Sequence, residues 1–258
     1  MKSRLATATV LFGMIAHGQT PDPNQVISRM KEAARVYAER LQDFVCTQLQ
    51  KRSIGSSPGG PHWKLLERQV SVLEYVNHKE HYSLLEVNGE TLEPERRIKR
   101  GHFLPGGEYA TALRKIFDPK AQAVFDWDRE ERSGAAHICV FRYSVPQATS
   151  TVIMQADADH VQLGHHGMVW ADCDTGAVTR FQMETDMGEV TRMGRKVPLG
   201  QRLEVRYAPA MIGSQEFLLP EAVDEAVLFY KTWTRVEIQF QEYRKYDANS
   251  VIRFDGHF

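Results

Sequence analysis

The chain has 258 residues, of which 42% are hydrophobic and 25% charged, with 32 basic against 33 acidic side chains. That balance fits a globular chain with enough apolar material for a sizeable core. It excludes collagen-like and low-complexity classes, and it offers no basic tail or aromatic-interleaved basic patch for nucleic acid.

Lys2 and Arg4 precede an apolar run, "LATATVLFGMIA" (5–16), and small residues sit at Ala16 and Gly18. This is the pattern of a secretory signal peptide over 1–18, cut after Gly18. The run of about 12 residues is too short to span a bilayer, and no other window reads as a membrane helix. No cysteine follows the small residues, so a lipid-anchored form is not expected. Without Lys2 and Arg4 the chain keeps 30 basic and 33 acidic residues, a formal net charge of −3. Residues 19–258 are expected to form a single exported domain, periplasmic or extracellular.

"DPNQVISRMKEAARVYAERL" (22–41) predicts a helix. Asp22 suits the cap, Pro23 the first helical position and Gln25 a capping box. Val26, Met30, Ala33, Ala34, Tyr37 and Leu41 recur at helical spacing. Strand-rich segments follow at 43–54, 63–76 and 80–92, the last with an Asn88-Gly89 turn signal. The segment 93–107 is charged, rich in Gly and Pro, and expected to be a loop or lid. "EYATALRKIF" (108–117) predicts a second, short helix that Asp118-Pro119 ends.

Beyond it only strands are expected, at about 122–130, 136–146, 149–157, 160–172, 177–186, 189–197, 201–209, 215–221, 225–232, 233–246 and 249–255. In "RVEIQFQEY", Val236, Ile238 and Phe240 alternate with Arg235, Glu237, Gln239 and Gln241. This period of two marks an antiparallel strand with one dry and one wet face. No βαβ alternation occurs. The expected fold is mainly β with a few helices (α+β): a large curved antiparallel sheet, an unclosed half-barrel, with both helices over its concave face.

"GHHGMVWADCDTGAVTRFQMETD" (164–186) holds two histidines, three aspartates and a cysteine. On a strand, His165 and His166 point to opposite faces, and His160 lies five residues earlier. The better reading is a hairpin. Asp172 and Asp174 favour turns, and Gly176 supplies the positive-φ position. Ala177, Thr179, Phe181 and Met183 would then share one face. A G-x-S-x-G elbow, an H-E-x-x-H motif and a phosphate loop are all absent. Glu67, Glu74, Asp126 and Asp128 read as solvated strand acids rather than a glycosidase pair. No catalytic residue, metal ligand or cofactor is expected.

The cysteines are Cys46, Cys139 and Cys173. Cys46 and Cys139 lie in strand-like segments beside aromatics and are expected to pair, which leaves Cys173, at a turn, as the spare thiol. Phe125 shares a face with Trp127, and Phe141 with Tyr143. Together with Leu113, Ile116 and Phe117 of the second helix they form the candidate lining of an apolar cavity.

The stretches "DFVCTQLQKR", "GGEYATALRKIFDPKAQAVFDWDRE", "GHHGMVWADCDTGAVTRFQME", "VRYAPAMIGSQEFLLPEAV" and "FQEYRKYDANSVIRF" resemble a set of exported acidobacterial proteins. By architecture that set resembles the LolA/RseB-like periplasmic lipoprotein-carrier superfamily. Cys173 stands where the set often carries proline. The resemblance implies an apolar concave side partly plugged by helices, and a non-enzymatic binding protein for an acyl chain, a lipoprotein or a hydrophobic polypeptide. It brings no catalytic residues. The alternatives are an envelope-sensing or structural interaction module whose cavity is filled by its own helices, and a metal-dependent hydrolase at His160, His165 and His166.

Overall fold

The carboxylate of Asp22 accepts the Asn24 N–H at 3.0 Å, and helix α1 (Pro23–Arg40) begins at Pro23. The cap satisfies one of the orphan donors of the first turn, and the fixed φ of proline suits that position. Val26, Met30 and Ala34, four residues apart, form the buried stripe of α1. The computed structural model describes residues 21–60, 62–93, 110–134, 136–156 and 159–247. The leader expected at 1–18, nearly all of the 93–107 segment and the strand expected at 249–255 lie outside the described residues.

Strands β1 (Phe44–Gly55), β2 (Lys64–Val76), β3 (Lys79–Val87) and the two-residue β4 (Glu90–Thr91) follow α1 as a meander. Asn88 and Gly89 both take positive φ, 52° and 86°, as their turn requires. Helix α2 (Ala110–Phe117) comes next. The Asp118 carboxylate then caps a 3-10 turn at Pro119–Ala121 by accepting the Lys120 N–H at 2.8 Å. The rest is β: β5 (Val124–Ser133), β6 (Ala136–Val145), β7 (Ile153–Ala156), β8 (Asp159–Gln162), β9 (His165–Asp172), β10 (Val178–Thr185), β11 (Gly188–Arg192), β12 (Arg195–Ile212), β13 (Gln215–Phe229) and β14 (Thr232–Lys245).

One large antiparallel sheet has the order β4-β3-β2-β1-β14-β13-β12-β10-β9-β6-β5, with β11 added on β12. It is not closed into a barrel, since β4 and β5 end the path without pairing each other. This is the expected half-barrel. β7 and β8 pair only with each other in a separate hairpin.

The strand boundaries differ from expectation where proline and glycine act. The segment 160–172 is two strands, broken at Leu163-Gly164. A side chain at Gly164 would meet the Gln147 backbone nitrogen at 3.0 Å, so the chain passes close to the β6–β7 connection there. Conversely, 201–209 belongs to the 18-residue β12, and β13 runs unbroken through Pro220. Pro220 faces Tyr207 where the register slips between Arg206 and Tyr207, and a bulge is where a strand tolerates a residue with no N–H to donate. A second bulge, between Val178 and Arg180 on β10, shifts the alternation. Val178, Phe181 and Met183 point inward, and Thr179 drops out of the face expected for it.

The core lies between one sheet face and the two helices. Phe44 and Leu73 bury against it from one end of the sheet, Phe141 and Val169 from the other, and Phe181, Val205, Val223 and Ile238 from the middle. Val236, Ile238 and Phe240 are all buried, as the alternation predicts. The opposite face is wet and carries cross-strand ion pairs such as Arg180–Glu204 at 2.9 Å and Arg202–Glu184 at 2.8 Å.

The disulfide expectation is overturned. Cys139 bonds Cys173, with their Cα atoms 5.1 Å apart, and Cys46 lies outside the bridge, buried. Cys46 is on β1 and Cys139 on β6, with five strands between them. At about 4.8 Å per step they lie roughly 29 Å apart along the sheet, far beyond the ~7 Å a disulfide spans. Cys139 instead faces Ala171, and the turn that follows β9 returns Cys173 beside it.

Candidate functional site

The turn after β9 seats α1. The Asp172 carboxylate accepts the N–H groups of Asp174 and Thr175 and the Thr175 hydroxyl. Gly176 takes φ +75°. A side chain at Gly176 would stand 2.5 Å from the Met30 nitrogen and 2.6 Å from the Arg29 Cβ. The helix therefore lies flush on the turn, and an Arg29 guanidinium N–H donates to the Cys173 carbonyl at 3.0 Å. The Cys139–Cys173 bridge ties this seat to β6.

Every residue expected to line the cavity gathers in one cluster under the helices. Leu113, Ile116 and Phe117 of α2 are buried, as are Phe141 and Tyr143, with Phe125 and Trp127 partly covered. Phe117 stacks on Phe125 at 5.6 Å between centroids, and Trp127 meets Phe141 edge-on at 5.3 Å. Directly beneath α2, then, these side chains fill the space themselves.

Open space lies along α1 instead. A cavity of about 660 Å³ separates α1 from the β12–β13 arm, lined by Ala33, Tyr37, Leu113, Val178, Tyr207 and Phe217 among others. A groove of about 630 Å³ runs between α1 and α2, lined by Ala34, Ala38, Ile116, Phe117 and Ala123 and by charges of both signs, among them Lys31, Arg114, Asp118 and Arg35 paired to Glu32 and Glu39. Ala34 lines both. The small side chains of α1 leave room on both flanks of the helix. Periodicity marked this helix face as apolar, but the alanines that make the two spaces carry no separate signal.

A polar group lies within the same inner face. His165 is 1% exposed and meets Tyr143 edge-on at 5.8 Å. Among the described residues, neither ring nitrogen of His165 nor the Tyr143 hydroxyl has a hydrogen-bond partner. Burial pulls the imidazole down to about 4, and the Lys115 ammonium on α2 adds to this, while Asp186 opposes it. The Lys115 backbone lies near enough to favour the charged ring slightly, without making a well-formed hydrogen bond. Burial also pushes the Tyr143 hydroxyl and the Glu225 carboxyl up. Glu225 accepts from Gln201, whose backbone N–H donates to the Thr185 hydroxyl at 2.9 Å.

The residues of the hydrolase alternative do not converge. His165 is buried on the inner face, His166 lies exposed with its ring 3.8 Å from Asp186, and His160 is exposed on the separate β7–β8 hairpin. Among the described residues no group of three or more His, Cys, Asp or Glu could hold a metal ion. Glu67 and Glu74 are on β2, near one end of the sheet, while Asp126 and Asp128 are on β5 at the other. An outer-face groove of about 660 Å³ beside Trp63 has its charges paired, with Arg235 on Asp224 and Arg202 on Glu184. Among the described residues no helix is long and apolar enough to cross a membrane.

No protein-family model matches the chain, and no curated protein matches it. Solved structures are similar. An outer membrane lipoprotein-sorting protein domain from Vibrio parahaemolyticus is 12% identical, covering 86% of this chain and 93% of its own, with a TM-score of 0.42. A LolA superfamily protein from Nitrosomonas europaea is 10% identical over 87% and 93%, with a TM-score of 0.33. A DUF1329 family protein from Desulfovibrio piger is 13% identical over 90% and 96%, with a TM-score of 0.39. The first two names coincide with the resemblance read from the sequence.

Proposed function

We propose that the protein is an exported, non-enzymatic binding protein that shields a hydrophobic ligand (an acyl chain, alone or on a lipoprotein, or a hydrophobic polypeptide) on the inner face of its half-barrel. The observation that carries this reading is the placement of α1. It crosses an apolar sheet face with a space of 630–660 Å³ on each flank, within the roughly 300–1,000 Å³ of ligand sites. A twelve-carbon tail buried there gains about 10 kcal/mol gross at ~0.8 kcal/mol per CH₂, without any reactive group. Phe125, Trp127, Phe141, Tyr143, Leu113, Ile116 and Phe117 form the wall such a tail would meet on passing beneath α2. Native mass spectrometry and solvent extraction of the purified protein test this. Co-purifying lipid, or uptake of a fluorescent fatty acid, is expected. Failure of both would remove the reading.

The filled space under α2, with Phe117 stacked on Phe125, favours a second reading. In it the protein is an envelope-sensing or structural interaction module that keeps its helices in place. A protein free of lipid that captures no amphiphile at millimolar concentration would support that reading instead.

A further inference from the structure

Two adjacent side chains of the inner face, Tyr143 and His165, hold three polar atoms that are buried and without hydrogen-bond partners among the described residues. Each such atom destabilises the folded state by about 1–3 kcal/mol relative to a satisfied one, and buried polar groups in folded proteins are nearly always paired. Phenylalanine in either place would lack the penalty. The two rings are in edge contact at 5.8 Å, and Tyr143 belongs to the apolar cluster, where it also packs near Phe125. The ammonium of Lys115 acts electrostatically on His165 from α2, and on Glu225 across the sheet. Tyr143 offers an O–H donor, neutral imidazole one N–H donor, and Lys115 a positive charge. Such a set suits an oxygen acceptor attached to an apolar tail.

We infer that Tyr143 and His165, under Lys115, anchor the acyl oxygen of the ligand, either the carboxylate of a fatty acid or the carbonyl of a fatty-acyl ester, while the tail lies against the apolar cluster. The inference rests on the proposed hydrophobic-ligand role and adds a chemical class to it. Both oxygens accept the same two hydrogen bonds, and the carboxylate also draws on the Lys115 charge. Burial shifts Glu225 towards its protonated form, against the opposing pull of Gln201 and Lys115, which lessens its repulsion of a carboxylate.

Isothermal titration calorimetry with the intact mature protein separates the outcomes. The probes are laurate, methyl laurate and dodecyltrimethylammonium, each below its micellar concentration. All three carry a twelve-carbon chain, counting the carboxyl carbon of the first two, and the last has no acceptor. Laurate is expected to bind at least tenfold more tightly than the ammonium amphiphile, the ratio a hydrogen bond to a charged group gives. Methyl laurate is expected to fall between them if the carboxylate charge matters, and to equal laurate if the carbonyl alone is read. Tyr143→Phe and His165→Phe should each reduce the ratio of laurate to dodecyltrimethylammonium affinity several-fold. The thermal midpoint of each ligand-free variant should hold or rise, which shows that the variant folds. Equal affinity for laurate and the ammonium amphiphile, or an undiminished preference in both variants, overturns the anchor and leaves water as the partner of these groups. In that case tail binding by all three probes leaves the broader function standing. Binding of none removes both.

Discussion

Replacing Gly176 by alanine tests whether the β9–β10 turn is the seat of α1. The residue sits at φ +75°, where an L side chain costs about 1–2 kcal/mol. The new Cβ would also stand 2.5 Å from the Met30 nitrogen and 2.6 Å from the Arg29 Cβ. Relieving that overlap needs α1 to move by about 1 Å, and comparable overpacking costs ~1–3 kcal/mol. The sum is about 2–5 kcal/mol. Gly134 provides the control, because it has φ +58° with nothing within 4 Å of a built Cβ. Gly134→Ala should therefore cost only the backbone part, about 1–2 kcal/mol. Urea unfolding followed by tryptophan fluorescence measures both. The expected difference is at least 1 kcal/mol, with the Gly176 variant also more easily cleaved within α1 by trypsin. Equal losses in the two variants would show that the helix is not held against this turn, and the argument for a seated lid would fall.

Five further outcomes are expected. Peptide mapping without reduction should recover Cys139 linked to Cys173 and Cys46 as a thiol. Replacing both bridged cysteines by serine should cost about 3–4 kcal/mol for a separation of 34 residues. The pKa of His165 falls from about 6.5 unfolded to about 4 folded, so the folded state binds fewer protons between these values. Its contribution is complete above pH 6.5 and is lost as pH falls towards 4. His165→Phe should remove about 2 kcal/mol of that acid-side loss, read from urea midpoints at pH 7 and pH 4.5. Gln48 is fully buried, and neither atom of its amide has a hydrogen-bond partner among the described residues; Gln48→Met should raise stability by about 1 kcal/mol in thermal unfolding. Hydrogen exchange with laurate present should become faster in α1 and slower in β6 and β9.

The sheet was legible because its strands alternate. Val236, Ile238 and Phe240 announce one buried face, and the Asp172–Gly176 turn carries its own chemistry. Both helices could be read as well, since Asp22, Pro23 and the stripe from Val26 to Ala34 are local signals. The disulfide could not be read in the same way. It depends on which strands are neighbours, and pairing β6 with β9 brings Cys173 to Cys139 only once the hairpin is placed beside it. The β10 bulge likewise comes from cross-strand packing, so Thr179 fell on the wrong face. Among the site residues, the aromatics were found by their alternation. His165 was considered only as a metal ligand, because nothing local shows that its ring lies beside Tyr143 beneath α2.

The stability of α1 on the sheet is set by a short stripe. Val26 and Met30 are fully buried and Ala34 nearly so, and at ~1.5–3 kcal/mol for each large side chain the stripe contributes about 3–6 kcal/mol. A twelve-carbon tail offers about 10 kcal/mol gross on the same surface. On the proposed function, burial of such a tail would offset the displacement of α1 while the antiparallel ladders of the sheet stay in place. The Cys139–Cys173 bridge fixes the turn against which α1 packs at Gly176. The charged edge strand β5, with Arg129 paired to Glu131 and Arg132 to Glu130, lets the sheet stay open without inviting another strand. A closed barrel would solve the edge problem too, but it would leave no seam along which a helix could lift.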